Sequence, residues 1–321
     1  MKITLAPMEG VVDSYIREIL TDIGGIDSCV TEFVRVVDQL LPPKVFYRFC
    51  PELKNGGLTP AGTPVTVQLL GSDPEALADN AQRAISLGAP AIDLNFGCPA
   101  KCVNKRSGGS FLLQSPETLY SIISTVRNAV PPTIPVSAKI RLGFENTDLA
   151  IENAIAVESA GANFVTVHAR TKTDGYKAPA RWEWIGKIRE SISIPMIANG
   201  DINSIDDYIK CVAISGCPDV MIGRGAMARP DLALQIKHYR HQPNSPLPWS
   251  EVLKLVVHMT EEMTRDVKTK YIVSRTKQWL SMLKKEFPEA EECFTSIRKL
   301  KDYEQVKESL RQRLISHSAI S

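Results

Sequence analysis

The chain has 321 residues, 44% of them hydrophobic and 23% charged, and 38 basic side chains against 36 acidic ones leave a net charge of +2. A chain of this size can bury a large core, in one domain or in a large domain plus a small one, and its ordinary composition excludes disordered, collagenous and fibrous classes. No apolar run approaches the roughly 18 residues of a membrane span, and so small a net charge means that any nucleic-acid partner must show itself in local clusters. Seven cysteines at irregular spacing include no Cys-x-x-Cys pair, which supports neither a disulfide framework nor a structural zinc site. Met1–Pro7 runs straight into a strand-like pattern with no signal-peptide architecture, so a reduced, cytoplasmic, soluble protein is expected.

Short β-branched runs recur along the first three quarters of the chain: Lys2–Leu5, Ser28–Glu32, Pro64–Leu70, Ala91–Asn95, Pro135–Arg141, Asn163–His168, Ile194–Ala198 and Asp219–Ile222. Their starts lie about 25–45 residues apart, the spacing of βα units rather than of hairpins. Helix-periodic stretches fill the gaps, among them Asp73–Leu87 and Ser115–Ala129. The second opens with Ser115 as N-cap, Pro116 at the first helical position and Glu117 in the first turn. Eight such units fit a closed TIM (β/α)8 barrel, while a doubly wound open sheet lacks its Gly-x-Gly-x-x-Gly after the first strand. A proline-rich breaker at 241–248 precedes long helix-forming stretches without strand signals. The expected organisation is an α/β barrel over residues 1–242 and a small all-α helical domain over 243–321.

Catalysis in such a barrel is built at the C-terminal strand ends. Here these carry Pro7-Met8-Glu9, Glu32, Gln68, Asn95, Lys139 with Arg141, His168 with Arg170, Asn199-Gly200-Asp201 and Gly223-Arg224-Gly225. The last two groups follow strands seven and eight, where barrels commonly hold phosphate on glycine-rich backbone; tight turns that need glycine are the plainer reading. Lys139, flanked by small and apolar residues, must be paired, act as a Schiff-base nucleophile, meet an anionic ligand, or snorkel out of the barrel mouth. The fourth strand leads into a long basic loop, residues 95–110, with Cys98 held between Gly97 and Pro99. No nearby His or Cys completes four metal ligands around Cys98 and Cys102. Catalysis by Cys98 could be nucleophilic, as a thiolate, or acidic, as a thiol, and the residue types alone leave both open.

Ala6–Gly10, Asn95–Pro99, Ser107–Ser110, Lys139–Arg141, His168–Thr171, Ala198–Asp201 and Gly223–Gly225 occur in order along the whole chain, and the set resembles the bacterial tRNA-dihydrouridine synthases. Thr31–Asp38 and Arg275–Leu280 resemble, more narrowly, the class that acts on uridine 16 of the tRNA D-loop. The resemblance implies a TIM barrel with a C-terminal helical domain and a two-step reaction. NADPH reduces FMN; a hydride then passes from flavin N5 to C6 of uracil while an acid protonates C5. By position Cys98 matches that acid. Lys139 and His168 match residues at the flavin, Gln68 and Pro7-Met8-Glu9 would frame its ring, and Asn199, Gly200, Asp201, Gly223 and Arg224 would hold its phosphate end. Asn95 would bond the uracil edge. Cys102 lies outside the family pattern and could form an adventitious disulfide with Cys98 on oxidation.

A basic cluster supports an RNA partner: Arg265, Lys268, Lys270, Arg275, Lys277, Lys284 and Lys285 face a single acid, Asp266. As a helix this stretch buries a stripe of Ile272, Thr276, Trp279, Leu280, Leu283 and Phe287 and turns its basic face outward. Lys101, Lys105 and Arg106 add a second cluster in the Cys98 loop. The expected tRNA contacts are Arg35, Asn95, Arg170, Lys172, Tyr176, Arg275, Lys277, Gln278 and Trp279, on a monomer that needs neither a metal nor a membrane. Competing expectations are the same chemistry at another D-loop uridine, an FMN barrel that reduces a small pyrimidine, a phosphate-binding lyase using Lys139 as Schiff base, and an RNA-binding protein without activity.

Overall fold

The computed structural model describes residues 1–105, 107–240 and 245–318. Its strands are β1 (Ile3–Leu5), β2 (Ser28–Val30), β3 (Val34–Arg35), β4 (Val65–Leu70), β5 (Ile92–Phe96), β6 (Val136–Arg141), β7 (Phe164–His168), β8 (Met196–Asn199) and β9 (Val220–Ile222). Every pairing among them is parallel, and β1 joins both β2 and β9 while β2 joins β4, so the ring closes. The strands are largely buried on both faces because each is covered by helices outside and by neighbouring side chains within, and the polar residues they carry, such as Gln68, Asp93 and Ser137, are buried with them. Ala6 just after β1, Val30 of β2 and Met221 of β9 pack with Ile197 of β8 as a small cluster of their own.

One departure from the expected strands lies at 28–35. A single strand to Glu32 was expected; the chain instead forms β2, breaks, and resumes as β3, both pieces lying against β4. At the break the Gln68 N–H donates to the Thr31 hydroxyl at 3.0 Å rather than to a strand carbonyl. Glu32 turns away to accept the Gly10 N–H at 2.5 Å.

The connecting helices start where side-chain caps allow. Asp73 accepts the Ala76 N–H and Ser115 the Thr118 N–H, each one residue ahead of a proline in the first turn. The expected boundary at 242/243 and part of the proline-rich breaker lie outside the described residues. Beyond them come helices Trp249–Glu262, Thr269–Leu283, Pro288–Ile297 and Tyr303–Ser318. They share one hydrophobic core with the barrel: Trp279 is buried, and its indole N–H donates to the Met227 carbonyl, just beyond β9, at 3.1 Å. No described helix is long and apolar enough to cross a membrane.

Candidate active site

The C-terminal ends of the barrel strands enclose a cavity of about 580 Å³, within the range of small-molecule and cofactor sites. Around it stand Pro7, Met8, Glu9, Gln68, Asn95, Cys98, Lys139, His168, Tyr176, Asn199, Gly200, Asp201, Gly223 and Arg224, so these separately numbered residues share one chamber. Arg141, Glu32 and Met282 line it as well, without a role expected from sequence. Arg141 carried a signal, since it ends β6 two residues after Lys139. Met282 carried none, because helical periodicity shows that a residue is covered, not which cavity it faces.

The cavity floor is cationic. Lys139 donates to Asn199 Oδ1 at 3.1 Å. Burial, and the nearby Arg141, bring its ammonium down to about 8, against the opposing pull of Asp93. Burial, with Arg141, Lys139, Arg170 and Arg224 around the ring, drives the His168 imidazole well below its ordinary value, so it is neutral near pH 7. Arg170 Nη1 lies 3.3 Å from His168 Nε2. A guanidinium only donates, so Nε2 is the acceptor and the ring proton sits on Nδ1. Asp201 gathers the other cations, pairing with Arg170 and, at 3.0 Å, with Arg224. These partners hold its carboxyl below the ordinary range despite partial burial.

Cys98 is fixed from beneath. Buried Asp93 accepts from the Ser137 hydroxyl at 2.6 Å and from Gln68 Nε2 at 2.7 Å. That fixes the Gln68 carbonyl towards Asn95 Nδ2 at 2.7 Å, and Asn95 Oδ1 in turn accepts the N–H groups of Gly97 and Cys98 at 2.9 and 3.0 Å. The oxygen of the Asn95 amide thus holds the Cys98 loop and its nitrogen bonds Gln68, while Asn95 itself lines the cavity where a uracil edge was expected to meet it. From above, the Cys98 carbonyl accepts the Ser110 hydroxyl at 2.8 Å and Asn104 Nδ2 at 3.1 Å. Gly109 passes so near, at φ +59°, that a Cβ there would lie 2.9 Å from the Cys98 carbonyl oxygen. Burial pushes the Cys98 thiol up, partly offset by the Ala100 N–H, so the thiol form dominates near neutral pH.

The profile of the family described as dihydrouridine synthase (Dus) matches residues 4–318. The chain belongs to the dihydrouridine synthase family. It is 50% identical over 312 residues to a tRNA-dihydrouridine(16) synthase of Shewanella oneidensis, covering 97% of this chain and 98% of that one. It is 49% identical over 311 residues to a protein of the same name from Neisseria meningitidis serogroup B, covering 96% and 93%. Among solved structures, a 2-naphthoyl-CoA reductase complex matches with TM-score 0.56 at 16% identity, over 74% of this chain and 50% of that one. Histamine dehydrogenase from Rhizobium sp. 4-9 matches with TM-score 0.55 at 16% identity, over 74% and 46%. These two structures share the fold.

In this dihydrouridine synthase the residues expected to touch RNA fall into two groups. Tyr176 is 59% exposed at the cavity rim, beside the guanidinium groups of Arg141 and Arg224. Lys172 Nζ lies over the Phe144 ring, and Arg35 donates to the Cys102 carbonyl of the Cys98 loop at 3.2 Å. The other group is spent on the protein itself. Arg170 is fully buried against Asp201 and donates to the Lys177 carbonyl at 2.6 Å. Lys277 donates to the carbonyls of Arg298 and Leu300. Trp279 is interior, and Gln278 accepts from Arg275, which is tied to the turn after β1. The basic face expected on helix Thr269–Leu283 is thus partly an internal seam, because its long side chains reach carbonyls that the barrel and the following loop leave open. Arg106 lies outside the described residues.

Proposed function

We propose that this family member is an FMN-dependent, NADPH-linked enzyme that reduces the C5=C6 bond of uridine 16 in the tRNA D-loop to 5,6-dihydrouridine. The observation that carries the reading is the meeting of a protonated, rigidly held Cys98 thiol and a Lys139-centred cationic floor in one chamber. Half-identical relatives named for position 16 supply the nucleotide assignment.

The chamber suits FMN. Lys139, Arg141 and Arg224 line it with the acids Glu9, Glu32 and Asp201. Asp201 is already paired with Arg170 and Arg224, and burial raises the Glu32 carboxyl, so Lys139 and Arg141 are the cations placed to meet an anionic guest. At the phosphate end, Gly223 and Gly200 leave no slack: a Cβ would lie 3.1 Å from Met8 Sδ at the first and 3.1 Å from His168 Cδ2 at the second. Asn199–Asp201, Gly223 and Arg224 would hold the phosphate, while Gln68 and Pro7–Glu9 would flank the ring. Lys139 would offer its charge to the pyrimidine edge of that ring, and neutral His168 would offer Nδ1–H without adding a second charge. When bound, FMN accepts reducing equivalents from NADPH and supplies the hydride that reaches uracil C6. Cys98 gives its proton to C5 on completion of the reduction and regains one from water, so two electrons and two hydrogens are accounted for. Tyr176, at the rim, would stack on an extruded base or its neighbour.

The test is an anaerobic absorbance series on purified enzyme. A flavin band bleached by NADPH and restored by unmodified tRNA, but not by free uridine, is expected. Restoration by free uridine would make the protein a small-pyrimidine reductase; absence of flavin after FMN is added back would remove the cofactor assignment. Cys98→Ala should still bleach with NADPH while tRNA-driven recovery slows by about a hundredfold or more, the scale of lost general-acid catalysis. Recovery at the wild-type rate would remove Cys98 as the acid.

A further inference from the structure

Beneath the cavity, three neighbouring strands carry polar side chains in the barrel interior. Gln68 of β4, Asp93 of β5 and Ser137 of β6 are paired in register across the sheet, and all three are buried. A carboxyl group in such a place costs free energy unless its oxygens are matched to donors. Those of Asp93 are matched: Oδ1 accepts the Ser137 hydroxyl at 2.6 Å and Oδ2 accepts Gln68 Nε2 at 2.7 Å. Strand side chains alternate, so Asn95 follows two residues later on the same face of β5, one step nearer the cavity.

A side-chain amide has a donor end and an acceptor end, and here both amides are oriented by their neighbours. Asn95 Oδ1 accepts the N–H groups of Gly97 and Cys98, which turns Asn95 Nδ2 towards Gln68. Gln68 must therefore present Oε1 to it, at 2.7 Å, and point Nε2 down into the barrel. Asp93 is the acceptor that Nε2 meets there. Without that acceptor a buried donor would stand unmatched, and the Gln68 amide would rotate to satisfy it at the expense of its bond to Asn95. The Gln68 backbone is pinned meanwhile, since its N–H is held by the Thr31 hydroxyl.

We infer that Asp93 is a positioning residue for Cys98: from inside the barrel it sets the orientation of the Gln68 and Asn95 amides, and through them it holds the loop that carries the proposed acid. This rests on the reading of Cys98 as that acid. Asp93 touches neither the cavity nor Cys98 and acts only through the two amides. Three roles for it are separable by chemistry. A hydrogen-bond acceptor can be replaced by Asn, which keeps an oxygen for Gln68 and offers its own N–H to Ser137 Oγ. A counter-charge to Lys139 would be lost in Asn and Leu alike. A space-filler would be kept by Leu, which matches the volume and accepts nothing.

The experiment compares the wild type with Asp93→Asn and Asp93→Leu as purified, each checked for its thermal midpoint. Alkylation of Cys98 by iodoacetamide is followed by peptide mass spectrometry, with exposed Cys102 as the internal reference. Asp93→Leu is expected to raise the Cys98 rate relative to Cys102 about tenfold, the scale of one lost hydrogen bond, and to slow tRNA-driven recovery of the flavin band by a similar factor. Asp93→Asn should stay close to the wild type in both. Equal impairment of the two variants would make Asp93 the counter-charge of Lys139 and overturn the inference, and so would wild-type behaviour of Asp93→Leu. If Asp93→Leu fails to fold, Gln68→Met decides, since it cuts the same chain at its middle link with little change in volume: unchanged Cys98 alkylation there overturns the inference, and a raised rate supports it. Alkylation needs neither flavin nor tRNA, so a wild type whose flavin band tRNA cannot restore would count against the proposed function and leave this readout intact.

Discussion

Lys139 and Cys98 face the same cavity, and the same cause, loss of water, moves them in opposite directions. Burial favours the neutral amine and so brings Lys139 down to about 8, whereas it favours the neutral thiol and so lifts Cys98 above its ordinary value of 9.0. In the proposed roles both act in the protonated form, so each contribution is lost as pH rises through the group's own value, and Lys139 is lost first. The oxidised flavin ring is uncharged and does not restore the ammonium. In stopped-flow measurements, NADPH-driven flavin reduction should fall as pH rises past about 8, while tRNA-driven reoxidation of reduced enzyme stays level to beyond 9. Lys139→Met should be slower throughout and lose the step near 8. A single shared pH limb for both half-reactions would contradict the division of roles between the two residues.

Helix Thr269–Leu283 is the element on which barrel and helical region depend together. Ile272, Thr276, Leu280 and Leu283 are fully buried along it, and Trp279 fills the seam while donating to the Met227 carbonyl. Trp279→Ala should cost about 3–5 kcal/mol in denaturant unfolding, the range for truncating a buried aromatic. Trp279→Phe should retain most of the packing and lose about 1–3 kcal/mol for the carbonyl left without its donor. A loss below 1 kcal/mol in the alanine variant would mean that the seam is not part of the cooperative core. The burial stripe of this helix was legible because apolar spacing at 3.6 residues reports a covered face. The same pattern could not report what Arg275 and Lys277 reach for, since the carbonyls they satisfy belong to segments remote in sequence: Gly10 and Val11 for one, Arg298 and Leu300 for the other. Likewise the strands stood out as short β-branched runs at the spacing of βα units. The break between β2 and β3 did not, because it is set by one side-chain bond, Thr31 to the Gln68 N–H. At the cavity, residues at strand ends could be found by reading each strand to its end. Asn95 could be found that way too, but its engagement with Gln68 and the Cys98 loop became visible only when β4 and β5 were placed side by side.

Over the whole molecule, a net charge of +2 conceals two populations of cations. Arg17, Arg170 and Arg275 are buried or half-buried against Glu52, Asp201 and Asp13, where they serve the fold. Lys101 and Lys105 stand exposed on the short helix and turn beside Cys98. A polyanion that inserts a base near Cys98 must bring its backbone past this rim, and each cation that neutralises a phosphate releases a counterion. The salt dependence of tRNA affinity therefore separates the two populations. Lys101→Ala and Lys105→Ala should each reduce the slope of log K against log salt by about 0.7–0.9 while leaving thermal stability close to wild type. Lys277→Ala should leave that slope unchanged and lower the thermal midpoint, because its ammonium is bonded to the Arg298 and Leu300 carbonyls. The reverse pattern, with the slope moved by Lys277 and untouched by the rim lysines, would place the RNA along the C-terminal helices and away from the Cys98 loop.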